Sequence, residues 1–104
     1  MSAPPTIELH AESVFYYSRK DEDAFFEWLA KIKCATKIGG RGNILSMTIQ
    51  LDLVDQDALR ELLAIFHRYG ISMSQLVALE RPEWAAWFRE PLAYWHAGVF
   101  GPQT

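Results

Sequence analysis

Isolated histidines, one cysteine and a run of carboxylates are the residues of this sequence that could do chemistry. His10-Ala-Glu12 has the His-x-Glu spacing used in zinc-dependent deamination. That chemistry also needs a Cys-x-x-Cys pair to hold the metal, and the sequence contains a single cysteine. His10, His67 and His96 are widely separated and share no metal-ligand spacing. Cys34 has Lys31 and Lys33 nearby, which favour a thiolate. It falls towards the end of an expected helix, however, where the dipole opposes a negative charge, and no base is placed to activate it. Gly39-Gly-Arg-Gly resembles a phosphate cradle but lacks the Lys-Ser/Thr and the following helix, so it reads as a turn. Asp52, Asp55 and Asp57 supply carboxylates, yet nothing in their spacing sets two facing groups with divergent pKa values. The chain therefore reads as a non-enzyme, with no cofactor and no metal expected.

Composition narrows the choice further. A length of 104 residues, half of them apolar, suits one domain (1–104) that buries roughly two-thirds of its surface. One cysteine excludes an internal disulfide and fits a reducing compartment. Met1-Ser-Ala-Pro-Pro-Thr6 has no apolar leader character, and no run approaches the ~20 apolar residues of a membrane span. A cytoplasmic protein with no membrane partner is expected.

The elements that must position any functional group follow from periodicity. Residues 7 to 17 alternate as a strand, with Ile7, Leu9, Ala11, Phe15 and Tyr17 on one face and Val14 and Tyr16 on the other. Ser18-Arg-Lys-Asp21 resembles a capping box before a helix of about 20 to 34, striped by Phe25, Trp28, Leu29 and Ile32, with Phe26 beside the stripe. Residues 35 to 38 suit a short strand, followed by a turn at Gly39–Asn43. Leu45, Met47, Ile49, Leu51 and Leu53 alternate with polar residues, which predicts a half-buried antiparallel strand. Asp55 caps a helix of 56 to 69, striped by Leu59, Leu62, Leu63, Phe66 and Tyr69 and stopped by Gly70-Ile71 in a Schellman arrangement. Ser72-Met-Ser-Gln75 offers a second capping box, and Pro82 fits the first turn of a helix of 82 to 90 carrying Trp84, Trp87 and Phe88. Leu92 to Phe100 is ambiguous. The fold class is α+β: a small, mainly antiparallel sheet packed against helices, with a helical, aromatic-rich C-terminal segment.

Charge and aromatic content point towards a partner. Net charge is −3. Between Trp28 and Leu51 there are four basic residues, Lys31, Lys33, Lys37 and Arg41, and no acidic ones. Four positive charges on an acidic chain make a poor nucleic-acid surface, so an RNA-binding role is the weakest reading. Asp52, Asp55 and Asp57, with Glu61 just beyond, would steer the chain towards a basic partner. Three of the four tryptophans lie between Trp84 and Trp95. They either fold over the sheet to complete the core or form an interface. The interface reading takes Glu83, Trp84 and Trp87 as the contact edge, because tryptophan and arginine dominate binding hot spots and Glu83, Arg89 and Glu90 bracket the two tryptophans. A homodimer that pairs sheet faces through Ser46, Thr48 and Gln50, as a small ligand-binding or regulatory module, is the alternative.

The acidic stretch Asp52 to Glu61 and the tail Glu80-Arg-Pro-Glu-Trp84-Ala-Ala-Trp87-Phe88-Arg-Glu-Pro91-Leu-Ala-Tyr94-Trp95, on a small acidic α+β chain, resemble the immunity proteins of bacterial contact-dependent inhibition and related polymorphic toxin systems. The resemblance implies a stoichiometric inhibitor that binds a cognate protein toxin domain, often a basic nuclease, and blocks its active site or substrate groove. Asp52, Asp55, Asp57 and Glu61 would then stand in for phosphates, with Glu83, Trp84 and Trp87 at the contact edge. Such a protein would be a monomer or weak dimer when free.

Overall fold

The computed structural model describes residues 4–101; Met1–Ala3 of the proline-bearing start lie outside the described residues. Three strands, β1 (Thr6–Glu12), β2 (Ala35–Arg41) and β3 (Ile44–Gln50), form an antiparallel sheet in the order β1-β3-β2. Four α-helices follow the chain as α1 (Arg19–Ala30), α2 (Gln56–Tyr69), α3 (Ala85–Phe88) and α4 (His96–Phe100). Leu51–Leu53 and Ser74–Leu79 are 3-10 turns. The fold is α+β.

Register decides which side of the sheet is wet. Ile7 pairs with Ile49, Leu9 with Met47 and Ala11 with Leu45, while Ala35 and Ile38 of β2 meet the same β3 residues from the other side. This apolar face shares one core cluster with Phe25, Leu29 and Ile32 from the α1 region and with Leu59, Leu62, Leu63 and Phe66 of α2. The opposite face carries Glu8, His10, Ser46, Thr48 and Lys37 and faces solvent, as antiparallel sheets permit.

Several expected boundaries move, each for an identifiable reason. β1 stops at Glu12, not at residue 17, because Ser13 adopts a left-handed φ of +50°. Its N–H donates to Asn43 O at 2.8 Å and its Oγ accepts from Asn43 Nδ2 at 2.8 Å, which ties the bend to the β2–β3 turn. One left-handed residue inverts the alternation. Val14 and Tyr16 pack on the core, while Phe15 and Tyr17 stand 67% and 88% exposed. α1 is capped by Ser18 as expected but ends at Ala30. Lys31 and Ile32 tighten into i→i+3 bonds, and the Cys34 carbonyl already accepts Gln50 N–H at 2.8 Å. The chain there belongs to the sheet, so β2 takes in Gly39–Arg41 and the turn contracts to Gly42-Asn43, with Gly42 at φ +62°.

β3 ends at Gln50, and the alternating Leu51 and Leu53 fall in a 3-10 turn. Its neighbour β1 begins at Thr6, opposite Gln50, and the preceding Pro4-Pro5 has no N–H to extend the ladder. Pro5 O instead accepts Leu51 N–H at 2.9 Å, and Arg81 caps the released carbonyls of Leu51 and Val54. α2 forms as the sequence predicts. Asp55 accepts Ala58 N–H at 2.7 Å, Gly70 sits at φ +68°, and Ile71 N–H closes on Phe66 O at 2.9 Å. The second capping box does not form: Ser74–Leu79 is a 3-10 turn without a side-chain cap. Gln75 Nε2 donates back to Ser72 O at 2.8 Å and across to His10 O at 2.8 Å, while Oε1 accepts His10 N–H at 2.9 Å, so the side chain ties this turn to β1. The helix expected over 82 to 90 contracts to the four residues of α3, with Pro82–Trp84 in a turn before it.

Candidate functional site

The amphipathic pattern of α2 places its polar residues on one rigid outward face. Asp57, Arg60, Glu61, His67 and Arg68 point away from the core, with the half-buried Ala64 among them. Half-buried aromatic rings flank this face on both sides. From α1, Trp28 donates its indole N–H to Glu61 Oε1 at 2.9 Å. From α3, Trp87 lies under Arg60, whose guanidinium carbon is 5.2 Å from the ring centroid. Arg60 also pairs with Asp57, so a carboxylate, a guanidinium and an indole form one continuous chain across two helices.

The tail extends the aromatic flank. Trp87 and Trp95 have ring centroids 4.9 Å apart, Tyr94 and Trp95 5.0 Å, and Tyr94 meets His67 edge-on at 4.9 Å. Partial burial, and secondarily the Glu61 carboxylate, raise the Tyr94 phenol above its ordinary pKa. Tyr94 is still half-exposed, so its hydroxyl remains available for hydrogen bonding.

The residues singled out from sequence do not all come together; Trp87 flanks the α2 face, as its contact with Arg60 shows. Asp57 and Glu61 belong to this face directly. Asp52 and Asp55 are exposed at its leading end, although the Asp55 carboxylate is engaged in capping α2. Asp55, with Leu53, Asp57 and Glu61, borders a shallow cleft whose lining also includes Lys31 and Lys33, and among the described residues no ion pair bridges it. Glu83 is exposed in the turn before α3, and no hydrogen bond, ion pair or ring contact joins it to the α2 residues. Trp84 requires a correction. It is 7% exposed, its indole N–H donates to Leu79 O at 3.1 Å, and Arg81 stacks on its ring. It is a core residue and cannot form a contact edge. Trp28, Arg60, His67 and Tyr94 join the site, and sequence reasoning had left them out. The signal for the α2 members is the spacing of Asp57, Arg60, Glu61, Ala64 and His67, which repeats at helical intervals opposite the leucine stripe.

The other chemical candidates resolve individually. No group of three His, Cys, Asp or Glu among the described residues could hold a metal ion. Cys34 is fully buried, and desolvation pushes its thiol up to about 11, against the opposing effect of a backbone hydrogen bond. It is therefore protonated at neutral pH. Gly39-Gly-Arg41 lies in β2 and forms no phosphate loop. Among the described residues no helix is long and apolar enough to cross a membrane. No family model, curated protein or solved structure matches the chain.

Proposed function

We propose that this chain is an immunity protein: a stoichiometric inhibitor that binds a cognate toxin domain, a basic nuclease, and neutralises it by occupying its functional surface. The contact is made by the outward face of α2 with Trp87. Carboxylates of Asp52, Asp55, Asp57 and Glu61 meet the basic groove, and aromatic rings supply the desolvated area.

The observation that carries the reading is the different treatment of the four tryptophans. The indole N–H groups of Trp28, Trp84 and Trp95 donate to Glu61, Leu79 O and Phe88 O respectively. Trp87 is half-buried, and its N–H has no hydrogen-bond partner among the described residues. A half-exposed indole with a free donor, held in place by Arg60 and Trp95, is the kind of anchor that dominates protein interfaces. A core residue would have that donor satisfied.

Co-expression with the product of the adjacent reading frame tests the proposal. The expected result is a tight one-to-one complex that suppresses the toxin's activity and loses affinity when Trp87 is replaced by alanine. Failure to co-purify, or a complex indifferent to both Trp87 and the α2 carboxylates, would overturn it.

A further inference from the structure

The wet side of the sheet carries a second surface, separate from the α2 face because the sheet's other side is the one packed into the core. Its charges are aligned by register. One row across the three strands is Glu8–Thr48–Lys37, the next is His10–Ser46–Gly39, and the third is Glu12–Ile44–Arg41. β1 thus forms an acidic edge, β2 a basic edge, and β3 a neutral strip of small residues between them. The edges lie two strand spacings apart, about 10 Å, and among the described residues no ion pair joins one edge to the other. Among the described residues, the single ion pair touching any of these side chains is a long contact of 3.9 Å between Glu8 and His10.

We infer that this face pairs with the same face of a second copy of the chain, about a two-fold axis nearly parallel to β3. Such a rotation carries β1 over the partner's β2 and leaves every position along the strands unchanged. Glu8 then opposes the partner's Lys37, and Glu12 opposes the partner's Arg41. By symmetry that makes four ion pairs around the axis. His10 opposes the partner's Gly39, where the missing side chain leaves a hole. A Cβ built at Gly39 would meet nothing within 4 Å. Along the axis Ser46 and Thr48 are small enough to let the sheets approach. Ile44, 38% exposed, meets the partner's Ile44 and buries its apolar surface. Aligned sheets cross at about −30°, and over three rows the resulting lateral offset is about 3–4 Å, which the long Glu, Lys and Arg side chains can absorb.

Three strands of seven residues present roughly 300 Å² of flat face, well below the ~800 Å² per partner of a standard stable interface. The dimer is therefore weak and held largely by charge. It dissociates on dilution or in salt, and it leaves the α2 face free.

Sedimentation from about 10 µM to about 1 mM in low-salt buffer reads this directly, with a monomer–dimer equilibrium expected to weaken at least tenfold in about 0.5 M salt. Two charge-swapped variants, Glu8→Lys with Glu12→Lys and Lys37→Glu with Arg41→Glu, should each be monomeric, and their equimolar mixture should restore a dimer. Gly39→Val changes no charge and suits a strand, so it should leave the fold intact by circular dichroism and abolish the dimer by filling the hole. A wild-type protein that is monomeric throughout the range would overturn the inference. So would a dimer that tolerates Gly39→Val, or charge-swapped variants that are folded but do not recombine.

Discussion

Arg60 lies over the indole of Trp87 at 5.2 Å while the same guanidinium pairs with Asp57. The arginine therefore fixes an aromatic ring of α3 and a carboxylate of α2 in one geometry before any partner arrives. A pre-ordered set of side chains loses less conformational entropy on binding than a flexible one, so the contact energy goes further.

The two neighbouring tryptophans should separate cleanly under alanine substitution. Trp84→Ala removes a buried ring and leaves Leu79 O without its donor, which should cost about 3–5 kcal/mol of stability by chemical denaturation. Trp87→Ala should cost well under half of that, yet weaken toxin binding by at least about 2 kcal/mol, roughly thirtyfold, in calorimetry. If Trp87→Ala destabilised the fold as much as Trp84→Ala and bound normally, Trp87 would be a core residue.

Neutralising Asp57 and Glu61 as Asp57→Asn and Glu61→Gln keeps their shape, and the glutamine carbonyl can still accept the Trp28 N–H. Stability should change by under about 0.5 kcal/mol. The association rate with the toxin should fall several-fold, and its salt dependence should flatten, in stopped-flow mixing. An unchanged rate would remove charge steering from the mechanism.

Gln75 satisfies both backbone groups of His10, so Gln75→Ala should cost about 1–3 kcal/mol and accelerate amide exchange at His10 more than at Leu59 in the helical core. Equal protection in the variant and the parent would show that water replaces the side chain without loss.

Cys34 sets a pH dependence whose sign follows from its burial. Its folded thiol lies near 11 against an ordinary value of 9.0, so the native state holds the proton more tightly than the unfolded chain. Its contribution is present in full below pH 9 and is lost as pH rises towards 11. Tyr16 and Tyr69 are also raised, chiefly by desolvation, and act in the same direction. Alkaline unfolding compared between the parent and Cys34→Ala isolates the thiol's share, which should appear as a smaller loss of stability in the variant. Native protein at pH 8 should resist iodoacetamide until denaturant is added.

The sequence reported the elements whose signals are local. The helix α2 needs only its Asp55 cap, its leucine stripe and Gly70, and all three act within the helix itself. The alternation from Leu45 to Ile49 likewise matches the observed strand. The signals failed where a distant group intervened. The alternation from Ile7 to Tyr17 reads as unbroken, but the bend at Ser13 is held by Asn43, thirty residues away. Leu51 and Leu53 extend the β3 pattern, but β1 has run out of partners beside them. Gln75 looks like a cap because its local spacing is right, and it does reach Ser72 O, but it also bonds both backbone groups of His10 on another element, which spacing does not reveal. For the site, the acidic residues at the start of α2 were legible from spacing. The different fates of Trp84 and Trp87 were not, since the two lie three residues apart in one aromatic segment and distant groups separate them: Trp84 is buried with its N–H on Leu79 O, while Trp87 lies half-buried under Arg60 of α2.

The side-chain amide that stands beside β1 in place of a further strand gives the sheet a direction. At His10 the outer flank of β1 is already occupied, which leaves the β2 margin as the side where a foreign strand could add on. With the middle of the β1 edge taken at His10, runaway polymerisation of partly unfolded chains, or a partner that lends a strand, finds its longer free margin there. Either would meet Lys37, Arg41 and the irregularity at Thr36, which discourage such growth.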